Sequence, residues 1–84
     1  MEEKLLEIKI LTSEETLFEG SAQAVFLPGV RGPFEVLPRH APLVSLLEEG
    51  SVRLRLSGGE ERSFTIPGGV ARVFNNRIAL CVEG

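Results

Sequence analysis

Residues 6–10 read Leu-Glu-Ile-Lys-Ile, so apolar and charged side chains alternate along the segment. Successive side chains of a β-strand point to opposite faces, so this segment is predicted to be a strand with one buried and one solvated face. The same alternation recurs at residues 52–56, 64–66 and 77–82. Residues 21–27 and 70–74 are shorter segments rich in β-branched or aromatic side chains, and they predict two further strands.

Turn-forming residues separate these segments at intervals of roughly ten residues, which is typical of antiparallel β-proteins. Asn75-Asn76 is predicted to be a two-residue hairpin loop, because Asn tolerates the left-handed conformation of a type I′ turn. Gly68-Gly69 predicts a bulge or a close approach of two strands. We therefore predict an all-β fold, namely an antiparallel two-sheet β-sandwich or flattened barrel of about eight to ten short strands.

Two segments fit this pattern less simply. Residues 43–49, Leu-Val-Ser-Leu-Leu-Glu-Glu, are interpreted as a strand or irregular structure, because seven residues do not sustain an independent helix. Residues 27–43 hold four of the five prolines. Proline fixes φ and lowers the entropy of the unfolded chain, so we expect stiff loops in this region. Stiff loops are typical docking surfaces because they lose little entropy on binding.

The composition excludes several classes of function. The 84 residues suffice for one domain, so residues 1–84 are expected to form a single β-sandwich unit. The formal net charge is −3 and there is no Trp or Tyr, so we expect no nucleic-acid partner. One Cys and one His cannot supply the four ligands of a structural zinc site. A single Cys also rules out an internal disulfide and favours a reducing compartment.

The sequence offers no signal for membrane insertion or phosphate binding. Its apolar runs are far shorter than a membrane span, and Met1-Glu2-Glu3-Lys4 lacks the layout of a signal peptide, so we expect a soluble cytosolic domain. Gly29-Val30-Arg31-Gly32 lacks the Gly-Lys-Ser/Thr ending and the following helix of a phosphate-binding loop. A hairpin turn is predicted there instead. No catalytic residue, cofactor or metal is predicted.

The segment Leu27-Pro28-Gly29-x-x-Gly32-x-Phe34-x-Val36-Leu37-Pro38-x-His40-Ala41-Pro42-Leu43 resembles the signature of the epsilon subunit of F-type ATP synthases. The flanking motifs Leu17-Phe18-Glu19-Gly20, Gly50-x-Val52-Arg53-Leu54 and Gly68-Gly69-Val70 agree with that family in order and spacing. The resemblance therefore covers nearly the whole chain, and the tetrapeptide His-Ala-Pro-Leu is its most specific part.

The resemblance implies a non-catalytic β-sandwich at the foot of the central stalk of a rotary ATP synthase. Such a domain, monomeric within the complex, would bind the γ subunit on one side and the ring of membrane-embedded c subunits below, without inserting into the membrane. It would pass ion-driven rotation to the catalytic head, which makes ATP from ADP and phosphate, at the cytoplasmic face of the bacterial inner membrane. The residues implied to contact γ are His40, Ala41, Pro42 and Ser45 on one shared face, with Thr12 from the end of the first strand beside them. Those implied to contact the c-ring are Gly29, Val30, Arg31, Gly32 and Pro33.

Most members of that family continue into a C-terminal helical hairpin that inhibits ATP hydrolysis. This sequence reaches Glu83-Gly84 where the hairpin would begin, so we expect the hairpin and its autoinhibition to be absent, in either a natural short form or a truncated one. Adding the 84-residue chain to a γ-containing catalytic head should therefore not strongly inhibit ATP hydrolysis.

Several alternatives stay open at this point. His40 is either a γ contact or a locally packed loop histidine, and a general-base role is disfavoured because the chain has no Asp. Arg53 and Arg55 either form a solvated face or pair with carboxylates of γ or of neighbouring strands. Cys81 is expected to be a small apolar residue, buried or at an interface. The alternative function is a free-standing β-sandwich module that binds a small ligand or a peptide, which predicts a pocket with convergent polar groups.

Overall fold

The computed structural model describes residues 4–83, and within that range the chain forms nine strands and no helix. The part of the chain so described holds no helix of the length and apolarity that a membrane crossing requires. The expectation that the N-terminus lacks a signal peptide concerns Met1-Glu2-Glu3-Lys4, of which residues 1–3 lie outside the described range, and the expectation about a hairpin beyond Gly84 lies outside it as well. The strands are β1 Leu6–Leu11, β2 Thr16–Ala22, β3 Ala24–Gly29, β4 Gly32–Val36, β5 Leu43–Leu47, β6 Gly50–Arg55, β7 Glu61–Ile66, β8 Gly69–Phe74 and β9 Arg77–Val82.

The strands form one curled sheet in the order β2-β1-β9-β8-β5-β3-β6-β7, with β4 paired to β3. The edge strands β2 and β7 approach each other through Phe18 and Phe64, whose ring centroids lie 5.8 Å apart, and the Arg62 guanidinium lies over both rings. The all-β sandwich or flattened barrel predicted from the sequence is thereby confirmed. One pairing departs from the antiparallel expectation, because β1 lies parallel to β9 with Ile8 opposite Ile78.

The core lies on the inner face of the curled sheet and follows the alternation of the sequence. In β1, Leu6, Ile8 and Ile10 are buried, whereas Glu7 and Lys9 are exposed. Each fully buried side chain of this size stabilises the fold by about 1.5–3 kcal/mol relative to leaving it exposed. Among the described residues, no polar or charged side chain is buried. The period-two pattern therefore places the apolar side chains inside, as a sandwich requires.

Three expectations about local structure are corrected or resolved. Residues 21–27 do not form one strand, because the chain breaks at Gln23, whose N–H donates to the carbonyl oxygen of Arg55 at 2.7 Å. The ambiguous segment after Pro42 forms β5. Residues 27–43 are not loops throughout, since Pro28 and Pro33 lie opposite each other in β3 and β4. Proline tolerates a strand position that donates no backbone hydrogen bond, which is why both residues fit there.

The turn chemistry around β8 and β9 agrees with the sequence. Asn75 and Asn76 have φ values of 50° and 61° and connect the two strands, which confirms the predicted hairpin loop. Gly69 lies where a Cβ atom would collide with the backbone carbonyl of Cys81 and lie 3.0 Å from the Cα of Val82. The close approach predicted for Gly68-Gly69 is therefore confirmed.

Candidate docking surfaces

The outer face of the sheet between β5 and β1 is lined largely by apolar side chains. The strand register places Leu46, Val70, Cys81 and Leu11 in one row across β5, β8, β9 and β1. We call the apolar part of this face the outer strip. Its members are Leu11, Val44, Leu46, Val70, Phe74, Ala79 and Cys81.

The outer strip is well exposed along β5 and at the end of β8, and the exposed side chain of Arg72 lies between its apolar members, opposite Val44 and Ala79. Val44 is 68% exposed, Leu46 63% and Phe74 60%. Isolated apolar residues on a surface are common, but a contiguous apolar patch indicates an interaction site. Cys81 is a free and exposed thiol on the same face. The sequence expectation of a small residue at an interface fits this position better than burial does.

Strand β5 explains why the strip exists. Leu43 and Leu47 point to the inner face with Ser45 between them, whereas Val44 and Leu46 point outward, so the outer side of β5 is as apolar as its inner side. A strand that is covered on both faces reads as a continuous apolar run, whereas a strand with one solvated face alternates. Val44, Leu46 and Phe74 are not among the contact residues expected from the sequence. The lack of alternation in residues 43–47 is the signal that identifies Val44 and Leu46.

The five residues implied to contact the c-ring lie together at the tip of the β3–β4 hairpin. Val30 and Arg31 form the turn, and both are exposed. The tip is tied to the end of β5 by two hydrogen bonds, the first from the N–H of Val30 to the carbonyl oxygen of Leu46 at 3.0 Å. The N–H of Glu48 donates to the carbonyl oxygen of Pro28 at 2.9 Å. With two prolines in its strands, this hairpin is a stiff projection.

His40, Ala41 and Pro42 lie in the loop that leads into β5. The N–H of His40 donates to the carbonyl oxygen of Leu37 at 3.1 Å, which closes a tight turn. Nδ1 of His40 lies 2.7 Å from the carbonyl oxygen of Ala41, so the ring nitrogen donates there. Ala41 and Pro42 are exposed. The loop is thus ordered by local hydrogen bonds and presents its apolar residues outward.

The structure does not bring Thr12 next to His40. Leu43, just after the His40 loop, lies level with Ile8 across the sheet. Thr12 lies four residues beyond Ile8 in the direction of β1, which is about 13 Å along the strand axis. Its hydroxyl accepts hydrogen bonds from the N–H groups of Glu14 and Glu15 and so caps the turn after β1. Thr12 and the His40 loop therefore mark opposite ends of the outer strip.

Ser45, the fifth residue implied to contact γ, lies between these two ends but on the inner side of β5. It is half-buried and lies opposite the buried Ala71, and its hydroxyl donates to the carbonyl oxygen of Leu46 at 3.2 Å. The outward neighbours Val44 and Leu46 are the residues of β5 that a partner would meet on the outer face.

The outer face of β3, β6 and β7 has the opposite character. Arg53 and Arg55 place their guanidinium carbons 4.6 and 5.6 Å from the ring centroid of Phe26. Arg53 also approaches Glu61 at 4.0 Å, and both side chains are half-exposed. An exposed ion pair at this distance contributes little. The exposure of both arginines agrees with the solvated-face interpretation, whereas the contact of Arg53 with Glu61 is a weak form of the pairing with a neighbouring strand.

The shape of the depression beside the outer strip indicates the kind of partner that it suits. In residues 4–83 no three His, Cys or Glu side chains converge as metal ligands. The depression beside the outer strip, lined by residues such as Leu11, Val30 and Leu46, is a broad apolar shelf. A ligand-binding module needs an enclosed site with convergent polar groups, and this shelf instead suits a second protein surface.

A small β-sandwich with one apolar outer face and one stiff projecting hairpin defines a docking domain. Residues 5–84 match the family described as ATP synthase, Delta/Epsilon chain, beta-sandwich domain. The chain therefore belongs to the ATP synthase delta/epsilon family, as the resemblance implied. Its curated relatives are epsilon chains of ATP synthase.

Individual relatives agree with this assignment. The chain is 40% identical to the ATP synthase epsilon chain of Chlorobaculum tepidum and 38% identical to that of Chlorobium limicola, covering 96% of this chain and 92% of each relative. It is 39% identical to the epsilon chain of Nitratiruptor sp., covering 94% of this chain but only 61% of that relative. The relatives thus differ in how far they extend beyond the sandwich.

Two solved structures share the fold. A chain of the Euglena gracilis mitochondrial ATP synthase (OSCP/F1/c-ring, rotational state 1) superposes with a TM-score of 0.88 at 20% identity, covering 93% of this chain and 50% of that one. A chain of the Tetrahymena thermophila mitochondrial ATP synthase (central stalk/c-ring) gives 0.81 at 12% identity, covering all of this chain and 67% of that one. At such identities the likeness establishes the shared fold.

Proposed function

We propose that this chain joins the γ subunit to the c-subunit ring in the central stalk of a rotary ATP synthase. Ion-driven rotation of the ring would then reach the catalytic head, where ATP is made from ADP and phosphate. The observation that carries the proposal is the exposure of Val44 and Leu46 in the middle of a strand. An apolar strand face that lies open in the isolated domain is explained when a partner covers it.

The γ subunit is the proposed partner of the outer strip. Four strands about 4.8 Å apart and about five residues long present roughly 320 Å² of flat area. A stable interface of ordinary size buries about 800 Å² on each partner, so the strip alone falls short. Thr12 at one end and the His40–Pro42 loop at the other lengthen the strip along the direction of its strands and so add contact area. The γ contact is therefore proposed to run along the whole strip and over both ends.

The hairpin tip at Gly29, Val30, Arg31, Gly32 and Pro33 is the proposed contact to the c-ring. A coupling element must resist bending, and the two hydrogen bonds that tie this tip to β5 and to Glu48 give it that resistance. Arg31 is the one charged side chain among the five, so it would meet polar or acidic groups of the ring loops. The solved structure from Tetrahymena thermophila that shares this fold is a central stalk and c-ring assembly, which supports a place for this chain near the ring.

The proposed location follows from the proposed place in the complex. The chain would lie at the cytoplasmic face of the bacterial inner membrane, held there by γ and the ring, as one copy per complex. Because both contacts are protein surfaces, no part of the domain needs to enter the bilayer.

Cys81 provides a direct test of the γ contact, because it is the sole cysteine and lies exposed on the outer strip. With the cognate γ subunit present, we expect the reaction of this thiol with an aromatic disulfide reagent to slow at least about tenfold, since a buried thiol is inaccessible. A matched control carries Cys81→Ala together with Thr65→Cys, which places the thiol on the polar outer face. Its rate should stay unchanged when γ is added. Equal rates for Cys81 with and without γ, or no association at tens of micromolar, would contradict the proposal.

A further inference from the structure

We infer that Asn76 is a positioning residue that holds the His40 loop in the shape that γ recognises, an inference that rests on the proposed function. Asn76 lies in the β8–β9 hairpin, 37 residues away in sequence from the loop. Its side-chain Oδ1 nevertheless accepts a hydrogen bond of 2.6 Å from the backbone N–H of Arg39. This bond connects the proposed docking loop to the hairpin.

The loop needs such support because of the turn that it makes. The bond from the N–H of His40 to the carbonyl oxygen of Leu37 closes a four-residue turn with Pro38 second and Arg39 third. Arg39 has a φ of 70°, which is the third-position conformation of a type II turn. That conformation favours Gly or Asn, whereas an arginine, which has a Cβ atom, prefers the negative φ of a type I turn. Arg39 is therefore held in a conformation that it does not itself favour.

The hydrogen bond to Asn76 selects between these two turns. Type I and type II turns differ mainly by a flip of the central peptide, here the one between Pro38 and Arg39. The N–H of that peptide is the group that donates to Asn76 Oδ1. After a flip it would point away, so the bond exists in the type II form alone. Asn76 thus stabilises the type II turn, because its hydrogen bond forms in that turn and not in the type I turn.

Asn76 is itself rigidly placed. Its φ of 61° belongs to the tight hairpin loop that it shares with Asn75. Its backbone carbonyl oxygen accepts a hydrogen bond of 2.8 Å from the N–H of Glu7, at the start of β1. The oxygen that accepts from the N–H of Arg39 therefore lies where β8, β9 and β1 meet. Since His40, Ala41 and Pro42 follow the turn directly, its state decides where they point.

The test compares Asn76→Gly with Asn75→Gly in the full 84-residue chain. Glycine suits the left-handed positions of the hairpin loop, so both variants keep the turn, but Asn76→Gly alone removes the acceptor. We expect Asn76→Gly to weaken binding to the cognate γ subunit about threefold to tenfold, because a smaller fraction of molecules has the competent loop. Asn75→Gly should bind like the parent chain. Asn76→Asp keeps an acceptor oxygen and should retain most of the affinity.

A second substitution distinguishes positioning from a direct contact. Arg39→Gly makes the left-handed turn residue comfortable without help, so in the double variant Arg39→Gly/Asn76→Gly the affinity should return to that of Arg39→Gly alone. In the isolated chain, NMR should show the Arg39 amide protected from exchange in the parent and in Asn75→Gly, and more rapidly exchanging in Asn76→Gly. Affinity of Asn76→Gly within twofold of Asn75→Gly, or no recovery in the double variant, would overturn the inference. If the parent chain does not bind γ, the proposed function fails, whereas the amide exchange still decides whether Asn76 fixes the loop.

Discussion

Two outer faces of the same curled sheet enclose one core but differ in chemistry. Around β5, β8, β9 and β1 the outward side chains are largely apolar, with Leu46 63% exposed. Around β6 and β7 they are Arg53, Arg55, Glu61 and small polar residues, with the arginines stacked on Phe26. Folding requires only one apolar face per strand. The polar outer face of β6 and β7 is therefore what is expected of a sheet face exposed to solvent. The apolar side therefore carries information about a partner rather than about the fold.

The largest expected effect tests the strand framework under the apolar side. Gly69→Ala would place a methyl group against the backbone of Cys81 and Val82 in the paired strand, so we expect it to lower the free energy of unfolding by about 3 kcal/mol. Gly58→Ala in the turn between β6 and β7 is the matched control, because it has a φ of 93° but no atom within 4 Å of an added Cβ. It should cost only about 1 kcal/mol. Chemical denaturation of both variants measures the difference, and equal losses would mean that the close approach is relieved by a small backbone shift.

A charge placed on each outer face tests the contrast directly. Leu46→Glu should weaken binding to γ about a hundredfold, because a buried carboxylate without a partner is strongly unfavourable in an apolar interface. Thr65→Glu, on the outer face of β7, should leave the affinity unchanged. Both positions are exposed, so the free energy of unfolding should change by less than about 0.5 kcal/mol.

Calorimetric titration of γ with both variants and the parent chain gives these affinities. A similar affinity for Leu46→Glu and Thr65→Glu would remove the distinction between the two faces. A loss confined to Thr65→Glu would reverse it and would place γ on the polar side. Thermal unfolding of each variant serves as the check that neither substitution disturbs the core.

The smallest expected effect concerns the arginines of the polar face. The double variant Arg53→Ala/Arg55→Ala removes two guanidinium groups from the ring of Phe26, and exposed stacks of this kind contribute about 0.5–1 kcal/mol each. We expect a loss of stability of that order and no change in γ affinity. A tenfold loss of affinity would show instead that the arginines pair with carboxylates of γ, the alternative that the sequence left open.

Local features of the fold were predictable because they depend on neighbours in sequence. The alternation of residues 6–10 gave β1 with the correct buried face, and Asn75-Asn76 gave the hairpin between β8 and β9. The break at Gln23 was not predictable, since residues 21–27 contain no Gly or Pro to mark it. There the chain leaves its pairing with β1 and begins to pair with β6, a strand far along the chain that contains Arg55.

Features that depend on register were beyond the sequence. The parallel pairing of β1 with β9 joins segments about 70 residues apart, and no local pattern specifies it. That pairing in turn determines the distance of Thr12 from the His40 loop. The motif residues could therefore be named from the resemblance, but their arrangement at the two ends of the outer strip required the structure.

The position of β9 between β1 and β8 has a consequence for how the chain matures. Without β9, the β1–β2 hairpin shares no backbone ladder with the other strands, since β1 pairs only with β2 and β9. During synthesis on the ribosome, the β1–β2 hairpin therefore joins the rest of the sheet only after nearly the last described residues have emerged. Contacts so distant in sequence slow folding, and the open edge of β1 is meanwhile free to pair with another chain.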